Sequence, residues 1–341
     1  MQRAIALRGL ARERAARACR RVARGLATNP DEVRRNAPQC ITEEQRDYYF
    51  QHGYLVLPGF LSDEWLERLN AATDEVVERS RGFSHEAVRP LGQFSEDDPL
   101  ADKLVLAEGH TAEAPMLTRL SAPVDVHPDY WAYSFELAAS IASDLLGPDV
   151  RFHHSKLNFK WPGALEEIRW HQDIQFWPHS NYTPLTLGVY LCDVTDEMGP
   201  MKVVPLSVHD ELHPLTDPTT GEFTGVLSEE SLARVATGSA ADTAGPRGTV
   251  TIHNARCVHS SLPNTSARAR PLLLNTFVSA SAAPLHAGTN GIHLRSKRGM
   301  PIVRGEQPVF TTFDPRPCPM APDFSSGYVT PFIQPAANRD G

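Results

Sequence analysis

The chain has 341 residues, 41% of them apolar and 22% charged, with a formal charge of −8; this is an ordinary globular composition, long enough for one large catalytic domain or two smaller ones. No run approaches the ~18 apolar residues that span a bilayer, which excludes an integral helical membrane protein. The charge is uneven: residues 1–29 carry eight arginines against the single acid Glu13, so the remainder sits near −15 and lacks the basic surface that general nucleic-acid binding requires.

The opening segment, Met1–Asn29, is rich in Ala and Arg, as an organellar presequence would be. Yet the whole chain holds 28 Arg against 5 Lys, so the bias is not confined there. The reading preferred is a solvated basic extension, residues 1–41, on a cytoplasmic protein, with an organellar location as the alternative. Five cysteines, odd in number and without a CxxC pair, fit reduced thiols rather than a disulfide framework. Cys257 reads as a small buried hydrophobe. Nothing in the sequence sets the oligomeric state.

After the extension, Thr42-Glu43-Glu44-Gln45 is a capping box that starts a helix, and Gly53 should stop it. Tyr54–Leu57 reads as a short strand closed by Pro58-Gly59. Ser62 caps a second helix whose apolar stripe is Trp65, Leu66, Leu69, Ala72, Val76 and Val77, with Gly82 marking its end. Residues 83–125 show no sustained period and are expected to be loops and short elements. A third helix is expected from Asp129 to Leu146, before Gly147-Pro148. From there the period changes to two: Leu185, Leu187, Val189 and Leu191 alternate with Thr186, Gly188 and Tyr190. Met201–Val204, Thr249–His253 and Leu272–Val278 are further strands. Helices first and strands after suggest one β-barrel or jelly-roll core buttressed by helices. Two long irregular stretches remain, 205–248 and a Pro-rich 282–341, the second expected to pack over the barrel.

The chemistry concentrates in the strand region. His171-Gln172-Asp173 places an imidazole and a carboxylate two residues apart, on one side of an extended strand, while Gln172 points away. With a distant second histidine, His259, this makes the two-histidine, one-carboxylate set of non-heme iron oxygenases, with coordination positions left open. His253 is the runner-up for the second histidine and reads as a strand or supporting residue. On ligand types alone, a zinc hydrolase or a non-catalytic metal-binding barrel stays open.

Four motifs in order carry a resemblance. They are Gly53-Tyr54-Leu55-Val56-Leu57-Pro58-Gly59-Phe60, then His154–Gly163 followed by Trp170-His171-Gln172-Asp173, then Asp196–Pro205, and finally His259–Ser266 leading to Arg270. Over residues 42–280 the chain resembles the phytanoyl-CoA dioxygenase family. That resemblance implies a mainly β fold with flanking helices, built on a double-stranded β-helix. With the order of elements along the chain, this is read as one oxygenase domain over 42–341, with N-terminal helices at 42–150, the core at 151–281 and the tail at 282–341. The resemblance implies Fe(II) held by His171, Asp173 and His259, with 2-oxoglutarate and O2 as cosubstrates. Arg270 would bind the far carboxylate of 2-oxoglutarate, for which a planar guanidinium is chemically suited; Ser261, Asn158 and Trp177 fall at further cosubstrate positions. Arg268 is two residues short of the family spacing and is read as a loop charge.

In related halogenases a small residue replaces the carboxylate, so Asp173 favours hydroxylation of an unactivated C–H bond; desaturation or cyclisation are variants of the same chemistry. Departures from the family pattern at Leu206, Thr249 and Ser260 touch loop geometry and substrate preference, not the ligands. The acidic body offers no patch for coenzyme A phosphates. A small or secondary metabolite is therefore preferred over a CoA ester, with Gln172, Phe176, Tyr190 and the 205–248 loop as candidates for its pocket.

Overall fold

A computed structural model describes residues 30–86, 100–162, 167–285 and 296–320, together with the backbone of 332–333. The basic segment 1–29 and parts of the tail lie outside the described residues. In chain order the helices are α1 (Pro30–Val33), α2 (Glu43–His52), α3 (Asp63–Arg79), α4 (Pro128–Tyr133), α5 (Ala139–Leu146) and α6 (Glu229–Arg234). The strands are β1 (Tyr54–Leu57), β2 (Leu104–Leu106), β3 (Leu117–Ser121), β4 (Val150–Lys160), β5 (Glu167–His171), β6 (Leu185–Tyr190), β7 (Met201–Val203), β8 (Ala241–Asp242), β9 (Val250–Asn254), β10 (His259–Ser261), β11 (Arg270–Ser279), β12 (Ile302–Arg304) and β13 (Phe332–Ile333).

Local chemistry sets the helix ends. The Thr42 side chain accepts from Gln45 N, and the Gln45 side chain reciprocates on the Thr42 backbone. Gly53 closes α2 at φ +82°, and a Cβ there would lie 2.5 Å from Cys257 Sγ and 2.6 Å from Val208 Cβ. That position needs glycine twice over, for its left-handed backbone and for the close approach of its neighbours. Ser62 caps α3, which passes into a single 3-10 turn ending at Gly82. The expected third helix is one helical run interrupted by a π segment, Ser134–Ala138. There the Ser134 hydroxyl lies 2.7 Å from both Tyr130 O and Asn275 Oδ1, a side-chain bond to the preceding turn that accompanies the widened register.

The strands form two antiparallel sheets, ordered β1-β9-β6-β11-β4-β3-β2 with β12 on β4, and β13-β5-β10-β7-β8. From β4 onward the chain alternates between them: β4 large, β5 small, β6 large, β7 small, β9 large, β10 small, β11 large. That winding is the expected double-stranded β-helix. The outer face of the large sheet presents Leu157, Phe159, Leu187, Val189, Ile252 and Leu273 to the helices, where Leu66, Leu69, Val76, Tyr130, Ile141 and Leu145 complete the main core. Each such side chain, fully buried, stabilises the fold by about 1.5–3 kcal/mol relative to exposure. Both faces of β6 are buried, because its other face looks into the space between the sheets.

Two stretches without a sustained sequence period gain definition in the structure. Residues 83–125 contain β2 and β3, which widen the large sheet beyond β4. The 205–248 stretch is not a bare loop: Leu215, Leu227 and Val235 pack with Ile174, Phe176 and Trp177 in a second apolar cluster beside the mouth of the barrel. Among the described tail residues, β12 pairs with β4 and β13 with β5. No helix among the described residues is long and apolar enough to cross a membrane.

Candidate metal and cosubstrate site

The register of the small sheet assembles the metal-ligand candidates. His171, the last residue of β5, stands directly across from His259, the first of β10, and their ring centroids are 4.1 Å apart. Gln172 keeps extended backbone, φ −125° and ψ 120°, before a 3-10 turn begins at Asp173. The alternation of the strand therefore persists far enough to put Asp173 on the side of His171. His171 Nε2 lies 3.6 Å from Asp173 Oδ1, and His259 Nε2 lies 4.0 Å from Asp173 Oδ2. All three residues are buried, and one ligand atom from each falls within 4.8 Å of the others.

The histidines are oriented for metal binding. His171 Nδ1 donates to Arg169 O at 2.7 Å, and His259 Nδ1 donates to Cys257 O at 3.0 Å. A proton held at Nδ1 leaves the Nε2 lone pair facing Asp173, which is how backbone carbonyls fix a ligand tautomer. Burial pushes His259 well below the usual histidine range, and the charges of His171 and His253 add to it. Burial alone would raise the Asp173 carboxyl, but His259, His171, His253 and Lys156 outweigh it and hold it well below the ordinary range. A neutral imidazole beside an ionised carboxylate is the state a divalent metal requires.

Between the sheets lies a cavity of about 890 Å³, open solvent at its mouth included. The triad lines it, as do Asn158, Phe176, Trp177, Ser261 and Arg270. Arg270 opens β11 across from Lys160 and is 2% exposed. Its Nε and Nη1 have no hydrogen-bond partner among the described residues, and its guanidinium sits over the Tyr190 ring at 5.8 Å. Leaving such a charge buried and unpaired is costly. Lys160 is not the free cation here: its Nζ donates to Ser261 O and Oγ at 3.1 and 2.8 Å and also to Leu262 O. That contact pins Ser261 at the cavity wall.

Two residues expected at the substrate pocket are placed elsewhere. Gln172 is fully buried, its amide donating to Arg256 O at 2.8 Å and its Oε1 accepting from His213 N at 3.0 Å; it ties the 205–248 segment to the ligand strand and does not line the cavity. The Tyr190 hydroxyl is 2.9 Å from Thr243 Oγ1 and accepts from Met201 N at 3.0 Å, which joins the two sheets. Conversely, Arg119, His154, Lys156, Thr186 and His253 line the cavity without having been singled out as pocket residues. His253 Nε2 lies 3.5 Å from Asp173 Oδ2, beside the triad as a neighbour. Its i, i+2 alternation with Thr251 in β9 was the available signal. Cys257 is not a ligand: its thiol donates to Gly53 O at 3.0 Å, and burial pushes its pKa up to about 12.

Comparison with known proteins agrees with this site. The phytanoyl-CoA dioxygenase (PhyH) family model matches residues 49–272. A probable alpha-ketoglutarate-dependent hypophosphite dioxygenase of Stutzerimonas stutzeri is 35% identical over 250 residues, covering 72% of this chain and 81% of that protein. An L-proline trans-4-hydroxylase of Streptomyces griseoviridis is 28% identical, covering 70% and 87%. Among solved structures, EctD from S. alaskensis with bound Fe aligns with a TM-score of 0.57 at 20% identity, covering 80% of this chain and 88% of that one; at that identity the likeness speaks to the fold. The chain belongs to the phytanoyl-CoA dioxygenase family, and with it to the 2-oxoglutarate-dependent dioxygenases.

Proposed function

We propose that residues 42–341 work as one catalytic unit that hydroxylates an unactivated C–H bond of a small metabolite, using Fe(II), 2-oxoglutarate and O2. One observation carries the assignment: two histidines hold their Nε2 atoms toward a buried carboxylate, in the same cavity as a buried arginine whose Nε and Nη1 have no hydrogen-bond partner among the described residues. His171, Asp173 and His259 would hold the metal. Fe(II) there supplies the O2-activating chemistry that couples decarboxylation of 2-oxoglutarate to substrate oxidation. Arg270 binds the distal carboxylate of the cosubstrate, with the Ser261 hydroxyl, Asn158 and Trp177 shaping its slot. Phe176 and Trp177, with the apolar cluster behind them, keep water from one side of the cavity.

A hydrolytic zinc centre uses the same ligand types but gives Arg270 no task, so the oxygenase reading accounts for more of the cavity. The test is conversion of 2-oxoglutarate and O2 to succinate and CO2 by Fe(II)-loaded protein, with one oxygen atom gained by the substrate. A panel of small metabolites is offered, including hypophosphite, L-proline and ectoine, on which relatives act by name. Succinate release that depends on Fe(II) and O2 is expected. Anaerobic turnover that ignores 2-oxoglutarate would instead establish the hydrolase.

A further inference from the structure

The wall that β3 and β4 turn toward the cavity carries more positive charge than the proposed cosubstrate uses. Arg119 stands across from Asn158, and Ser121 across from Lys156. Arg119 and Lys156 are thus diagonal neighbours on one face of the two strands, and both line the cavity. Like charges in that relation repel, and partial burial raises the cost. Arg119 is braced by its Nε donating to Asn158 Oδ1 at 3.0 Å. The Lys156 ammonium group, by contrast, makes no hydrogen bond or ion pair among the described residues. Burial depresses Lys156 and Arg119 adds to this, while Asp173 pulls in the opposite direction.

The charge of the whole lining points the same way. Its arginine and lysine cations are Arg119, Lys156 and Arg270, and its one acid is Asp173. A divalent ion at the triad adds two positive charges and a dicarboxylate removes two, so two positive charges remain inside the cavity. Register sets Lys156 apart from Arg270. Arg270 pairs with Lys160, four residues and about 13 Å along β4 from Lys156. His253, beside Asp173, is on β9, which is three strands from β4 in the sheet, about 14 Å away. Lys156 lines the cavity beside Leu274, its partner on β11, over an apolar floor of Leu272 and Leu274. Gly188 leaves room for both leucines, since a Cβ there would approach them to 3.1 and 3.0 Å.

We infer that the molecule oxidised carries an anionic group, a carboxylate or a phosphorus oxyanion, and that Lys156 binds it, with Arg119 reinforcing the charge. The inference rests on the oxygenase reading above. An ammonium is a compact point charge that pairs with either kind of oxyanion.

The experiment has two readouts on Fe(II)-loaded wild type, Lys156→Met, Lys156→Arg and Arg270→Met. The first is anaerobic calorimetric titration with 2-oxoglutarate. The second is succinate release driven by a small-metabolite extract split on an anion exchanger in alkali, with hypophosphite and L-proline as single compounds to separate phosphorus oxyanions from carboxylates. Lys156→Met should bind 2-oxoglutarate within about twofold of wild type, while Arg270→Met loses about tenfold or more. The stimulating activity should lie in the retained fraction, with its KM raised about tenfold or more in Lys156→Met and restored in Lys156→Arg. If Lys156→Met loses 2-oxoglutarate as Arg270→Met does, or if unretained compounds drive turnover that ignores Lys156→Met, the inference is wrong. Absence of succinate from wild type in every arm would count against the oxygenase reading itself.

Discussion

The two faces of the large sheet are built from the same strands and do opposite work. On the helix side, Leu157, Leu187, Val189, Ile252 and Leu273 are fully buried among aliphatic neighbours. On the cavity side, their immediate sequence neighbours are Lys156, Asn158, Thr186 and His253, with Arg270 at the head of β11. The first face stabilises the fold through apolar burial. The second keeps polar groups short of partners: His253 Nδ1 and two nitrogens of Arg270 have no hydrogen-bond partner among the described residues. Alternation by single residues thus lets one sheet spend stability on one side to hold chemistry on the other.

Substitutions on the two sides should therefore separate stability from function. The largest effect is expected at the triad, which the small sheet holds against the cavity face: His171→Ala should lower succinate release more than about 100-fold, with a melting temperature close to that of the metal-free wild type. Next comes Arg270→Met. It removes a buried, unpaired charge and so should leave the metal-free protein as stable as wild type or more so, while 2-oxoglutarate ceases to raise its melting temperature. The helix face should behave in the reverse way. Leu273→Ala should cost about 2–5 kcal/mol in denaturant unfolding, with the KM for 2-oxoglutarate unchanged in the folded fraction. Gly53→Ala should destabilise by about 1–3 kcal/mol, through both its positive φ and its contact with Cys257 and Val208.

The smallest effect is a chemical one. Because burial raises the Cys257 thiol to about 12, its thiolate is scarce at every pH below that, and folded protein should leave it unlabelled by iodoacetamide at pH 8. Labelling within the native lifetime would show that the turn before His259 opens.

Legibility from sequence divided along similar lines. His171 and Asp173 could be paired because their signal is local spacing, and an i, i+2 pair survives even though β5 ends at His171; His259 and Arg270 were singled out by the order of motifs that carries the family resemblance. Capping at Thr42, Ser62 and Gly53 was equally local. Arg119 and Lys156 were not legible as a pair: they lie 37 positions apart, and only the β3–β4 register brings them together. β3 itself is five residues long with three consecutive buried positions, too short for a period to show. Gln172 and Tyr190 went the other way. Their positions near the motif suggested a pocket, but tertiary hydrogen bonds to the 205–248 segment and to β7 engage their polar ends. Hydrogen bonds of that kind leave no trace in spacing.

The central claim is that one cavity holds a metal on His171, Asp173 and His259 and a dicarboxylate on Arg270. Anaerobic titration of 2-oxoglutarate into wild-type protein, with and without Fe(II), measures this directly. Saturable binding that tightens with Fe(II) is expected, with the metal-dependent part lost in His171→Ala and the overall affinity lost in Arg270→Met. Binding that is indifferent to Fe(II) and unchanged in both variants would contradict the account.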